Sequence, residues 1–233
     1  MRRKSEGVIP ESERIERRIV DAETHDPTRV VRILEPMVSD RRRARLREVI
    51  DRRLASVAVL FDAPYDPHNG AAVIRSCDAF GVQRLYVVER DRSFLLSKPV
   101  ARGAEKWLDV ATTRDPAEAI AAVRASGMEL VATHPDGELL PEDLASIARV
   151  AVVLGNERDG IREALAAACT RRVRVPMRGF IDSLNVSVTA AIVLRAATAN
   201  RPGDLDEATK LRLYARGLYL TLQNAAAILD AHP

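Results

Sequence analysis

Short apolar runs alternate with helix-like patterns along the middle of the chain. Six runs have the length and composition of buried strands, and apolar residues at helical spacing fill most of the gaps between them. The predicted strands are residues 57–61, 84–89, 107–111, 129–133, 149–154 and 171–174, and the predicted helices are 69–80, 116–126, 161–168 and 185–199. Such alternation predicts an α/β fold, with a mostly parallel sheet flanked by helices.

Both ends of the chain have helical patterns without strands. Residues 11–53 predict two or three short helices with breaks near Pro27 and Pro36. Residues 206–230 predict one amphipathic helix, which is too apolar to be stable alone. The chain is therefore expected to comprise a basic helical extension over 1–54, a catalytic α/β domain over 55–200 and a helical extension over 201–233.

A polar loop leads into the most apolar predicted helix. The loop, residues 176–185, follows a short strand that contains Val173 and Val175. The helix over 185–199 is apolar on nearly all sides, so we expect it to be buried and the loop to enter the core. Because a buried polar loop is energetically costly, we expect it to have a functional role.

Composition narrows the class of protein. Hydrophobic residues make up 47% of the 233 residues, which is typical of globular domains, and no charge-free run of membrane-spanning length occurs. The charged N-terminus is unlike a secretory signal. Two cysteines and four scattered histidines lack the spacing of a disulfide framework or a metal site. We therefore expect no metal, no membrane association and a cytoplasmic location.

Basic residues are concentrated in the N-terminal extension. Residues 1–53 contain 15 Arg or Lys and 11 Asp or Glu, and seven arginines lie between Arg41 and Arg53. Such a cluster is typical of a surface that binds phosphates. A solvated helix face explains the same pattern equally well.

The first of three motifs is DPHNGAAVIRSCDAFG at residues 66–81. Asn69 can cap the predicted helix and Gly81 can end it, so both are explained by local structure. Arg75 lies off the apolar stripe of the helix. An isolated arginine at such a position is more often a surface residue than a functional one.

Two further motifs follow predicted strands, whose carboxyl ends bind ligands in parallel sheets. LGNERDGI at 154–161 places Gly155 and Gly160 around a turn, but without the Lys-Ser/Thr of a nucleoside triphosphate site. A plain strand–turn–helix connection is an equal alternative. PMRGFIDSLNVSV at 176–188 offers Ser183 and Asn185 as helix caps, and its apolar residues could line a flat ring such as adenine.

Together and in this order, the motifs resemble the SpoU branch of the SPOUT RNA methyltransferases, over about residues 57–200. AEKW at 104–107 and the helical extensions look similar to the TrmH type, which methylates the ribose 2′-OH of the D-loop guanosine in tRNA. The resemblance implies a deep C-terminal trefoil knot and S-adenosylmethionine (AdoMet) as the methyl donor. It also implies a homodimer whose active sites share residues across the interface.

The resemblance implies a role for each matching residue. Arg75 would act at the ribose hydroxyl, either as the base that takes its proton or as a cation that stabilises the developing alkoxide. The remaining catalytic residues would be Asn69, Glu157, Ser183 and Asn185. The cofactor would be lined by Thr133, His134, Leu154, Gly155, Asn156, Gly160, Val175, Met177 and Leu184. RNA would contact His68, Arg41, Arg42, Arg43 and Arg45.

The expected function is therefore that of an AdoMet-dependent tRNA ribose 2′-O-methyltransferase. One alternative is a ribosomal RNA ribose 2′-O-methyltransferase of the same fold. Residues 1–53 are too short for a separate globular RNA-binding domain, which favours tRNA. A second alternative is an RNA-binding protein that no longer transfers methyl groups, but the intact Asn69, Arg75, Glu157, Ser183 and Asn185 argue against it.

Overall fold

The computed structural model describes residues 11–90, 103–156 and 158–232. They form two compact units, here named the sheet unit (Arg52–Leu205) and the helical unit (the described residues of Met1–Asp51 and Asp206–Pro233). The borders thus fall at Asp51 and Leu205, where the sequence suggested residues 54 and 200. The two terminal extensions, expected as separate segments, belong to one unit.

A six-stranded parallel sheet forms the centre of the sheet unit. Its strands are β1 (Leu54–Asp62), β2 (Val82–Val88), β3 (Asp109–Thr113), β4 (Glu129–Thr133), β5 (Val150–Leu154) and β6 (Arg171–Val173). They are arranged in the order β3-β2-β1-β5-β4-β6, and every neighbouring pair is parallel. The predicted α/β fold is confirmed, and each predicted strand corresponds to one of these six.

Helices of the sheet unit pack on both faces of this sheet. In chain order the α-helices of the two units are α1 (Glu11–Thr24), α2 (Pro27–Leu34), α3 (Asp40–Asp51), α4 (Pro67–Ala79), α5 (Pro116–Ala125), α6 (Glu163–Ala168), α7 (Val186–Ala197), α8 (Glu207–Thr221) and α9 (Ala225–Asp230). Successive side chains of β1 point to opposite faces, so Val59 joins the core beneath α4 and α7, whereas Leu60 joins the core beneath α5 and α6. This burial on both faces explains why the central strands, such as β5, are apolar runs.

The prediction of one helix over residues 206–230 is wrong. The structure has α8 and α9, separated where Leu222 adopts an extended backbone with φ −98° and ψ 124°. Leu218 and Leu229 are both fully buried, so the apolar spacing continues across the break. Asn224 precedes α9, and asparagine is a favourable residue at a helix N-terminus.

The expectation that α7 is buried on all sides, with a buried loop before it, is also wrong. One side of α7, which includes Val193 and Leu194, is fully buried against the sheet unit. The other side exposes Val188 and Ile192, and most of the loop over 176–185 is exposed. An apolar pattern shows that a face needs a partner, but not that the partner belongs to the same chain.

Candidate active site

A cavity lies at the carboxyl ends of three neighbouring strands, β5, β4 and β6. Ligands of parallel sheets bind outside the carboxyl ends of the strands. Here the loops after β4, β5 and β6 enclose a cavity of about 740 Å³. No helix within the described ranges is long and apolar enough to cross a membrane.

Most of the residues expected around the cofactor line this cavity. They are Thr133, His134, Gly155, Asn156, Gly160, Val175, Met177 and Leu184, and the expected catalytic residues Ser183 and Asn185 lie with them. Leu154 is fully buried at the end of β5 and is not among the described lining residues. Glu157 lies outside the described residues.

The loop after β5 folds tightly on itself. The backbones of Asn156 and Gly160 exchange two hydrogen bonds, of 3.1 and 3.2 Å. The Asn156 side-chain oxygen also accepts bonds from the backbone N–H groups of Arg158 and Asp159, at 2.8 and 2.7 Å. A Cβ atom on Gly155 would overlap the Gly160 backbone. Glycine at 155 is therefore required for this wall of the cavity to form.

Two expected catalytic residues meet between α4 and α7. The Asn185 side-chain amide donates a hydrogen bond of 3.0 Å to Asn69 Oδ1, while its oxygen caps α7 by accepting from Ser187 N at 2.8 Å. The prediction that Asn69 caps α4 is wrong, because Asp66 accepts the capping bond from His68 N. Pro67 suits the first helical position and sets the cap at Asp66, three residues before Asn69. The Asn69 side chain thus connects α4 to α7.

Arg75 lies elsewhere on the sheet unit. It is exposed on α4 and borders a shallow groove of about 560 Å³, which is also lined by Trp107 and by small residues of α4 and α7. Among the described residues that line the cavity after β4, β5 and β6, Arg75 does not appear. The structure of one chain thus separates Arg75 from the expected cofactor residues.

The residues expected to bind RNA are divided between the two units. His68 is exposed at the start of α4 in the sheet unit. In the helical unit, Arg41, Arg42 and Arg45 are exposed on α3, and Arg45 pairs with Glu48 at 3.0 Å. Arg43 pairs with Asp40, whose hydrogen bond raises the pKa of the guanidinium. The basic cluster is thus partly neutralised by its own neighbours.

The chemistry of the remaining reactive groups is restricted by burial. Burial raises the pKa of the Cys77 thiol to about 12 and that of Cys169 to about 11. Neither thiol is ionised at neutral pH, so neither is an activated nucleophile. In the part of the chain that the structure describes, no group of three His, Cys, Asp or Glu residues could hold a metal ion.

Sequence reasoning missed several charged residues of the cavity. Asp159, Arg172 and Asp182 line it, and Ile161 and Thr189 contribute further to its wall. Their only signal was a position after or near the end of a strand, which many polar surface residues share. Carboxylates and a guanidinium in one cavity suit a ligand that carries charges of both signs.

Comparison with known proteins identifies the family. The model of the SpoU rRNA methylase family matches residues 56–195, which is more than half of the chain. The chain belongs to the SpoU methylase family, and the resemblance drawn from the three motifs is confirmed.

Individual relatives extend this comparison. The chain is 30% identical over 195 residues to the tRNA (guanosine(18)-2′-O)-methyltransferase of Escherichia coli K12. The match covers 79% of this chain and 85% of the relative. The crystal structure of the A. aeolicus TrmH/SpoU tRNA modifying enzyme matches with a TM-score of 0.68 at 26% identity, covering 78% of this chain and 98% of that one. An AdoMet-bound rRNA methyltransferase from Sinorhizobium meliloti matches with a TM-score of 0.57 at 28% identity, covering 65% and 59%.

Proposed function

We propose that the protein is an AdoMet-dependent tRNA ribose 2′-O-methyltransferase, acting on guanosine 18 as its E. coli relative is named to do. The observation that carries the proposal is the cavity after β4, β5 and β6. Its lining contains eight of the nine residues expected around the cofactor, gathered from three loops that are distant in sequence. A tRNA substrate also implies a cytoplasmic location.

The cavity has the size and the chemistry that AdoMet requires. Its volume of about 740 Å³ lies within the range of small-molecule sites. Val175, Met177 and Leu184 provide an apolar surface for adenine, whereas Asp182 and Arg172 can complement the amino and carboxylate groups of the methionine part. When bound, AdoMet would supply a methyl group carried on a positively charged sulfur, and the thioether left after transfer is uncharged.

The residues of this chain then have two tasks: to orient the ribose hydroxyl in line with the methyl group and to stabilise the oxygen as it loses its proton. Orientation of this kind can lower a barrier by ~7–11 kcal/mol. The Asn185–Asn69 bond fixes two polar side chains beside the cavity. A guanidinium remains charged in proteins, so Arg75 acts by stabilising the developing alkoxide rather than as a base, and the hydroxyl proton passes to solvent water.

The position of Arg75 supports a homodimer. Since Arg75 borders a groove away from the cavity of its own chain, we place it at the cavity of a second protomer. The exposed side of α7, with Val188 46% and Ile192 38% exposed, provides an apolar surface for that contact. The trefoil knot stays a prediction that the resemblance to the family implies.

Substitution of the exposed α7 face tests the dimer. Ile192→Asp should convert the protein to a monomer and remove methylation, because a charge cannot be buried unpaired in an interface. Analytical ultracentrifugation gives the mass. Leu211→Asp, on a residue of similar exposure in the helical unit, is the matched control and should remain dimeric. A wild-type protein that sediments as a monomer at micromolar concentration would rule the dimer out.

The S. meliloti neighbour favours one alternative, an rRNA ribose methyltransferase. Mass spectrometry of unmodified tRNA and rRNA, each incubated with the protein and AdoMet, separates the possibilities. Methylation at tRNA guanosine 18 is the expected result, and Arg75→Ala is the negative control. Methylation of rRNA alone would support the alternative. If neither RNA is methylated after the incubation, the result would instead favour an RNA-binding protein without activity.

A further inference from the structure

A buried carboxylate lies at the end of the central strand. Asp62, the last residue of β1, is fully buried. It accepts a hydrogen bond of 2.7 Å from the backbone N–H of Arg162 and another of 2.6 Å from Arg162 Nε. Arg162 Nη2 also lies 2.5 Å from Asp62 Oδ1, so two guanidinium nitrogens make a forked contact with one carboxylate oxygen, while Oδ2 receives the backbone N–H. The charge of Asp62 is thus compensated by one residue through both its side chain and its backbone.

Arg162 lies at the end of the loop after β5, next to residues that line the cavity. It follows Gly160 and Ile161, which line the cavity, and it is the N-cap residue of α6. The loop that ends at Arg162 begins at Gly155, directly after β5, and β5 pairs with β1 through Leu154 and Phe61. The strand pairing holds one end of the loop, and the contact with Asp62 holds the other. Arg162 also reaches the Val88 carbonyl at the end of β2, at 3.4 Å.

The geometry of the Asp62–Arg162 contact indicates that it orients the loop after β5 more than it stabilises the fold. A buried ion pair contributes little net stability, since the desolvation of both charges offsets their attraction. What a forked contact adds is direction, because it fixes the orientation of the guanidinium and of the backbone that carries it. The backbone fixed here is that of the cavity wall at Gly160 and Ile161. The other ion pair of this loop, between Arg90 and Asp159, lies on the surface and constrains the wall less.

We propose that Asp62, acting through Arg162, is a positioning residue for the AdoMet site. It holds the wall formed by the loop after β5 in the conformation that binds the cofactor, without touching the cofactor itself. This inference rests on the proposed function, because it assigns the ligand of the cavity. It predicts that loss of the Asp62 charge weakens AdoMet binding more than it slows methyl transfer once AdoMet is bound.

The test compares Asp62→Asn with wild type in the full-length protein. Asn keeps the shape of the side chain but removes the charge-assisted contact, so the Kd for AdoMet by calorimetry and its KM should rise about tenfold or more. At saturating AdoMet, kcat should change by less than about threefold, since the reacting groups are untouched. Glu129→Gln is the matched control, because Glu129 also pairs with one arginine, Arg171, through two hydrogen bonds of 2.5 and 2.6 Å. Its AdoMet affinity should equal that of wild type.

Other outcomes separate the inference from the function on which it rests. If wild type binds AdoMet and Asp62→Asn binds it equally well, or loses thermal stability alone, the positioning role is refuted while the methyltransferase assignment stands. If wild type itself does not bind AdoMet, both fall. Should Asp62→Asn fail to fold, the double variant Asp62→Asn/Arg162→Gln carries the same expectation, since it removes the contact and leaves neither charge buried without a partner. Unchanged affinity in the folded double variant would equally overturn the proposal.

Discussion

Two surface cavities of the sheet unit differ in their shape and in the residues that line them. The cavity after β4, β5 and β6 is enclosed by three loops and offers apolar side chains and charges of both signs. The groove beside α4 is shallower, and four alanines, together with Phe80 and Trp107, line it around Arg75. Small side chains allow another surface to approach closely. One chain thus gathers most of the expected cofactor residues in one cavity, whereas under the proposed dimer Arg75 meets the cavity of a second protomer.

Removal of the groove's guanidinium should have the largest effect. Arg75→Ala should lower kcat by about 10³-fold, because a preorganised donor to the developing oxyanion is lost. The Kd for AdoMet should stay within about twofold of wild type, since Arg75 does not line the cavity. Single-turnover methylation and calorimetry measure the two quantities. Near-normal turnover would remove Arg75 from the mechanism.

A substitution in the wall of the cavity should lower the affinity for AdoMet and leave the groove at Arg75 unchanged. Gly155→Ala forces a Cβ into the Gly160 backbone, so the wall must shift, and AdoMet affinity should fall about 100-fold. Gly179→Ala in the loop after β6 is the matched control, since its Cβ would point into open space. Equal AdoMet affinities for the two variants would contradict the tight wall described here.

Exposed arginines of the helical unit should give the smallest effect. The double variant Arg41→Ala/Arg42→Ala should weaken tRNA binding by about tenfold and lower the salt dependence of log Kd by about one to two units. Arg43→Ala/Arg45→Ala should do less, because Asp40 and Glu48 already neutralise those side chains. Binding titrations at several salt concentrations measure both slopes, and AdoMet affinity should not change. Equal salt slopes for the two double variants would show that the Arg43–Asp40 and Arg45–Glu48 ion pairs break when RNA binds.

The core of the fold was predictable from the sequence because the central strands β1 and β5 are buried on both faces. Such strands appear as apolar runs of five to nine residues. The cavity followed, since the loops after parallel strands meet at one edge of the sheet. The break between α8 and α9 at Leu222 was not predicted, because the helical spacing of apolar residues continues through it. The exposure of Ile192 was not predicted either, since an apolar face has the same pattern whether its own chain or another chain covers it.

Charge was the least informative part of the sequence. Arg53 belongs to the basic cluster by position, yet it is buried in the sheet unit and pairs with Asp78 at 2.8 Å. Arg18 donates to the Leu222 carbonyl at 2.6 Å, and Arg29 donates to the Leu229 carbonyl at 2.7 Å, so both stabilise helix ends within the helical unit. A count of arginines cannot separate such structural roles from phosphate binding. Only the contacts of each guanidinium can.

A mixed dimer tests most directly whether the groove of one protomer completes the cavity of the other. Arg75→Ala and Gly155→Ala chains carrying different affinity tags would be co-expressed, and the dimer that retains both tags would be assayed for tRNA methylation. If the site is shared, one of its two sites combines an intact cavity with an intact Arg75, and activity should return to about half that of wild type. If each chain works alone, every site carries one defect. A mixed dimer no more active than either variant by itself would contradict the account.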